Sequence, residues 1–136
     1  MDEVINNLCV GSANSVSSII HFSLVVNCTK NIPFPKYETK CIRVPIDDSP
    51  ENTNLFIEYI QGQRILEKIH DALTNNQRVL VHCYAGINRS CSLVACYLVK
   101  YQNMTANEAV SFLQTRHCDA FYGVKNVPIV SVFAEQ

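Results

Sequence analysis

Short apolar runs alternate with longer stretches of helical spacing along this chain. Residues 8–11 (LCVG), 23–28 (SLVVNC), 41–46 (CIRVPI) and 78–83 (RVLVHC) are brief and rich in β-branched and apolar side chains, which predicts strands. Pro45 puts the third near a sheet edge or a strand end. The fourth carries three successive apolar residues, Val79 to Val81, which predicts burial on both faces and a central place in the sheet. Residues 12–22 (SANSVSSIIHF) predict a short helix with Ala13, Val16 and Ile20 on one side. Residues 54–73 predict one long helix whose inward stripe is Leu55, Tyr59, Leu66, Ile69 and Leu73, weakened at Gly62 by about 1 kcal/mol relative to Ala. Residues 90–101 predict a helix with Leu93, Val94, Tyr97, Leu98 and Tyr101 inward. Thr105 followed by Glu108 is a capping-box signature, opening a helix with Ala109, Phe112 and Leu113 on its buried side. A short final helix is expected after Pro128. KNIPFPKYE and DDSPENTN are loops, broken by prolines and turn-forming residues.

Strands that alternate with helices predict an α/β fold: a single domain over 1–136, with a central, mostly parallel sheet and helices on both faces. Ligands in such sheets bind at the carboxyl ends of the strands. The chain has 136 residues, 48% hydrophobic and 17% charged, enough for an ordinary core. A formal charge of −1 supplies no general attraction to nucleic acid or anionic lipid. The opening MDEVINN is unlike a secretory signal, and no apolar run approaches membrane-spanning length. Seven cysteines, without an export signal or a C-x-x-C pair, fit a reducing, cytoplasmic setting and argue against a zinc ribbon.

The informative stretch is RVLVHCYAGINRSCSLVACYL. A strand delivers Cys83 to the ligand-binding edge, and a loop then runs into a helix that begins with Arg89 and Ser90. The backbone N–H groups of Tyr84, Ala85, Gly86, Ile87, Asn88 and Arg89 can all turn inward there. With a helix dipole behind them, they form an anion site suited to phosphate. The same positive field favours a thiolate at Cys83. Gly86 supplies a conformation or a close approach that a side chain would block. Arg89 offers a planar fork for two phosphate oxygens. Ser90 can donate a hydrogen bond to the sulfur, and His82 is placed to orient the loop. The chemistry this implies is attack of Cys83 on phosphorus, then hydrolysis of the cysteinyl-phosphate. One carboxyl group can protonate the leaving oxygen and later deprotonate water. It should come from PIDDSPEN, where placement alone leaves Asp47 and Asp48 open.

With these residues the chain resembles the cysteine-dependent protein phosphatases, specifically the small dual-specificity branch and its minimal viral members. HCYAGINRS meets the signature of His-Cys, five residues, Arg-Ser/Thr. LCVGSANS resembles the family's opening strand and turn, LVVNCTK its second strand, VPIDDSPENT its general-acid loop, and YLVKYQNMTANEAVSFLQTR its last helices. The resemblance implies Cys83 as nucleophile, Arg89 as phosphate binder, Ser90 as helper of the leaving sulfur and Asp48 as the acid and base. It implies phosphorylated proteins as substrates, with no metal and no cofactor.

Several positions depart from the pattern. Asn88 stands where protein-directed enzymes more often carry Ser or Gly, and GINR is closer to the RNA 5′-phosphatase branch. That branch usually has Thr-His after the cysteine and Thr-Gly after the arginine, where this chain has Tyr84-Ala85 and Ser90-Cys91. The lysines of phosphoinositide enzymes are absent from the loop. No extended phosphotyrosine-recognition segment precedes DDSP, which implies a shallow pocket open to phosphoserine and phosphothreonine as well as phosphotyrosine. The family's PNxGF-like segment is not recognisable in DAFYGVKNVPIV. The expected activity is dual-specificity phosphoprotein hydrolysis. The alternatives are an RNA 5′-polyphosphate phosphatase and a phosphate-binding pseudophosphatase. Cys91 and Cys96 are expected to be core thiols, with Cys28 or Cys91 as an open redox partner for Cys83. His21, His70 and His117 are expected at the surface or satisfied in the core.

Overall fold

The computed structural model describes residues 1–17, 20–124 and 128–136. Five strands form one sheet in the order β1-β2-β5-β3-β4: β1 Asp2–Ile5, β2 Leu8–Gly11, β3 Leu24–Asn27, β4 Lys40–Arg43 and β5 Val79–His82. β2, β5, β3 and β4 run parallel, and β1 turns back antiparallel on β2. This is the α/β architecture expected from the alternation. β5 is central, and β4, the strand before Pro45, is at the edge. β1 was not anticipated, because MDEVINN is too polar to read as a strand; only Val4 of its four residues is buried.

Side chains alternate across the sheet, so each face collects every second residue. Leu8, Val10, Leu24, Val26, Val79 and Val81 face the main core. That core is built with α1 Thr53–Gly62, α2 Ile65–Thr74, α3 Arg89–Tyr101, α4 Ala106–Arg116 and α5 Pro128–Ala134. Cys9, Val25 and Leu80 face the other way and pack against Phe22, Ile20 and Phe34. Among the described residues, the connections around β3 therefore cover the face where a second helical layer was expected. Ala13–Ser17 forms only a 3-10 turn, and residues 18–19 of that expected helix lie outside the described residues.

The long helix expected over 54–73 is two helices. Phe56, Ile57 and Ile60 are buried on α1, and a continuous helix would next carry Arg64, Glu67 and Asp71 inward. Instead the chain turns at Gln63 and Arg64, with Arg64 left-handed at φ 53°, and α2 restarts with Ile65, Leu66, Ile69 and Ala72 buried. The break absorbs a two-residue slip in the apolar register. It also breaks the predicted stripe: Leu66 and Ile69 are buried and Tyr59 and Leu73 pack against the core, but Leu55 is 50% exposed.

Thr105 caps α4 as the sequence implies. Its hydroxyl accepts from the Glu108 N–H at 3.1 Å, and the Glu108 carboxylate accepts from the Thr105 N–H at 3.0 Å. Among the described residues no helix is long and apolar enough to cross a membrane. Thr105→Ala removes half of the box and should cost about 1 kcal/mol. Calorimetry should show the midpoint falling by roughly 3–5 °C; an unchanged midpoint would mean that the cap does not contribute.

Candidate active site

β5 ends at His82, and Cys83 follows at the carboxyl edge of the sheet, where its N–H donates to the Gly11 carbonyl at 3.4 Å. Cys83 is 3% exposed. Its sulfur receives the Gly86 N–H at 3.2 Å and lies 3.2 Å from the Ser90 hydroxyl, which is also 3.4 Å from the Gly11 carbonyl. Gly86 has φ +73°, and a Cβ there would sit 3.0 Å from the Gly11 carbonyl group, so both backbone angle and space require glycine.

The carbonyls of the loop are held from outside. Tyr84 C=O accepts from Ala13 N–H at 3.0 Å, Gly86 C=O from the His117 ring at 2.8 Å and from the Cys91 thiol at 3.4 Å, Ile87 C=O from Phe121 N–H at 2.8 Å, and Asn88 C=O from Ser92 N–H at 2.7 Å. Among the described residues there is no cis peptide bond, and a trans peptide sets its N–H opposite to its C=O. The N–H groups of Ala85, Ile87, Asn88 and Arg89 are thereby turned the other way. On that side lies a cavity of about 370 Å³ lined by Cys83, the loop, Asp48 and Val124, with none of the outer partners on its wall. Four of the six expected N–H groups are thus turned toward the cavity and fixed by contacts on their outer side, while the Gly86 N–H goes to the Cys83 sulfur.

Arg89 opens α3 and also lines the cavity. One terminal nitrogen donates to the Ile46 carbonyl at 3.3 Å, while its buried Nε has no protein partner among the described residues. The two candidate carboxylates are separated by what they touch. Asp47 pairs with Lys30 at 2.9 Å, and that hydrogen bond and charge hold its carboxyl below the usual range. Asp48 accepts from the Asn88 side-chain amide at 2.7 Å, and Ser92 donates to the other end of that amide at 3.3 Å. Asp48, Asn88, Arg89 and Val124 are shared with an adjoining cavity of about 350 Å³. Among the described residues no cluster of three or more His, Cys, Asp or Glu side chains is placed to hold a metal ion.

The thiols differ in setting. Burial first, then the neighbouring Cys83, raise Cys91 to about 12 and Cys28 well above the ordinary thiol value. Both therefore stay protonated, as core thiols do, and Cys96 is buried and raised as well. Sequence reasoning missed Asp2, Lys30 and the part played by His117. No local pattern marks them, since each meets the site from a distant segment.

Residues 8–124 match the family model described as "Dual specificity phosphatase, catalytic domain". The chain belongs to that family. It is 30% identical over 123 residues to "Putative tyrosine phosphatase 123R" of Invertebrate iridescent virus 6, covering 88% of this chain and 81% of that protein. It is 31% identical over 124 residues to mouse "Dual specificity protein phosphatase 14", covering 84% of this chain and 59% of the mouse protein. The human DUSP28 crystal structure has the same fold, with a TM-score of 0.83 at 19% identity over 98% of this chain and 92% of that one. The OH1 phosphatase of Orf virus superposes with a TM-score of 0.61 at 22% identity, over 97% and 80% of the two chains.

His82 gives this family member a pH signature. Its ring is fully buried, with Nδ1 3.3 Å from the Cys83 carbonyl and no partner for Nε2 among the described residues. Burial pushes its pKa below the ordinary 6.5. The unfolded chain then binds a proton that the folded chain refuses. Stability is unaffected by this group above pH 6.5 and falls as pH drops from there through the lower folded value, by up to about 1.4 kcal/mol per pH unit. Urea unfolding from pH 7 to 5 should show this fall in the wild type and a shallower one in His82→Asn; equal slopes would refute the assignment.

Proposed function

We propose that the chain hydrolyses phosphotyrosine and phosphoserine or phosphothreonine in proteins through a cysteinyl-phosphate on Cys83. One observation carries the reading: Cys83 and Arg89 line one cavity, toward which four loop N–H groups are turned. The Cys83 thiolate attacks phosphorus, the ester P–O bond breaks, and the leaving oxygen takes the proton of Asp48. Water then attacks the phosphorus, gives its proton to Asp48, and the S–P bond breaks. The Ser90 hydroxyl, 3.2 Å from the sulfur, stabilises the departing thiolate. The loop N–H groups and Arg89 hold the equatorial oxygens in both steps.

Asp48 is favoured as the acid by its place on the cavity wall, whereas Lys30 keeps Asp47 ionised and turned to solvent. The reaction needs no cofactor. The exposed Tyr84 and Ala85 at the rim support a shallow entrance, accessible to short and long phosphorylated side chains alike. Phosphorylated proteins in a reducing, cytoplasmic setting fit this chemistry. RNA 5′-polyphosphate is the second reading, favoured by Asn88 alone.

Phosphate release from a phosphotyrosyl peptide, a phosphothreonyl peptide and 5′-triphosphorylated RNA separates these readings. Wild type should release phosphate from both peptides and Cys83→Ser should lose at least about a thousandfold. Release from RNA alone would replace the protein-directed reading, and no release with retained phosphopeptide binding would indicate a pseudophosphatase. Asp48→Ala should slow alkyl phosphate esters by roughly a hundredfold or more and p-nitrophenyl phosphate far less. Asp47→Ala should stay within a few fold; the reverse order would move the acid to Asp47.

A further inference from the structure

His117 ends α4 and is 7% exposed, yet it joins three distant segments. Its Nδ1 lies 2.6 Å from the Asp2 carboxylate on β1, and its Nε2 lies 2.8 Å from the Gly86 carbonyl of the catalytic loop. Both partners are acceptors and neither can donate. A neutral imidazole carries one N–H, so it would leave a bare nitrogen facing an oxygen at one of these contacts. Only the imidazolium satisfies both. The carboxyl end of α4, where His117 N–H donates to the Leu113 carbonyl, also favours a cation. The titratable groups around it are Asp2 from β1 and, on the loop side, Cys91 from α3, whose thiol donates to the same Gly86 oxygen, with Cys83 and Asp119 beside Cys91.

From this geometry we infer that His117 is a positioning residue held as an imidazolium, which sets the Ile87 N–H toward the phosphate. The charge-assisted bond fixes the Gly86 carbonyl outward, and the shared peptide plane fixes Ile87 N–H inward. Donation to the carbonyl also polarises the peptide and strengthens its N–H as a donor. Asp2 supplies the counter-charge, which gives β1 a part in the site although it is the outermost strand. The role rests on the phosphate-cradle reading above.

The test has two readouts on the full chain. Ring nitrogen NMR of the wild type at pH 7 should show protons on both Nδ1 and Nε2 of His117, with those signals lost in His117→Gln. A ring with one bare nitrogen would overturn the inference. Inorganic phosphate affinity and kcat/KM for p-nitrophenyl phosphate should fall roughly ten- to a hundredfold in His117→Ala. His117→Gln, which keeps a donor for Gly86 without the charge, should recover part of the loss. A folded His117→Ala that binds phosphate within twofold of wild type would overturn the role. Should His117→Ala not fold, Asp2→Asn at the exposed edge decides: severalfold weaker phosphate binding supports the brace and unchanged binding removes it. If wild type itself binds no phosphate, the phosphatase reading fails; if wild type binds and the variants match it, the His117 role alone fails.

Discussion

The site depends on the fixing of peptide carbonyls on the outer side of one short loop. Inside the loop the Cys83 sulfur holds the Gly86 N–H, but the N–H groups of Ala85, Ile87, Asn88 and Arg89 have no such acceptor among the described residues and repel one another as parallel donors. The restraint is applied to the other end of each peptide. Ala13 from the segment after β2, His117 and Phe121 from the segment after α4, and the first turn of α3 each bind one carbonyl. These anchors come from both ends of the chain, so the loop is organised only once the sheet and its helices are assembled. On the proposed function, phosphate binding then costs little reorganisation, which is how preorganised dipoles act on a charge that develops during reaction.

A second restraint joins the loop that carries Asp48 to the Cys83–Arg89 loop. The Ser92 hydroxyl orients the Asn88 amide, and the amide holds Asp48 at 2.7 Å. On the other side Lys30 draws Asp47 outward at 2.9 Å. Lys30 belongs to a loop fixed by Asn27, which closes β3 by accepting from the Thr29 N–H and hydroxyl, and by Arg43, which donates to the Thr29 and Ile32 carbonyls. Two adjacent aspartates thus receive opposite settings from the segments that follow two different strands, β3 and β5.

Much of this was legible in the sequence. The run Val79–Val81 announces a central strand because a strand buried on both faces cannot alternate with polar residues. The motif from His82 to Ser90 announces a tight loop at a cavity because backbone donors, glycine and arginine must be neighbours to share one turn. Thr105 and Glu108 announce a helix start through chemistry local to four residues. The rest depended on tertiary contacts. A two-residue register slip at Gln63 and Arg64 splits a pattern that looks continuous, and Gly62 gave only a weak sign of it. Asp2 and His117 are 115 positions apart, and nothing local to either announces the pair. Asp47 and Asp48 look alike until Lys30 and Asn88 are seen to take one each.

The most direct test of a cradle held from outside is a titration of inorganic phosphate into nitrogen-15-labelled wild-type protein, followed at the backbone amides. The account predicts one saturable step in which Ala85, Ile87, Asn88 and Arg89 move most, while Ala13 and Phe121, whose N–H groups hold the outer carbonyls, stay in place. Equal movement of Ala13 and Phe121 would mean that the loop forms around the anion, and no movement at Ile87 or Asn88 would mean that phosphate does not bind there.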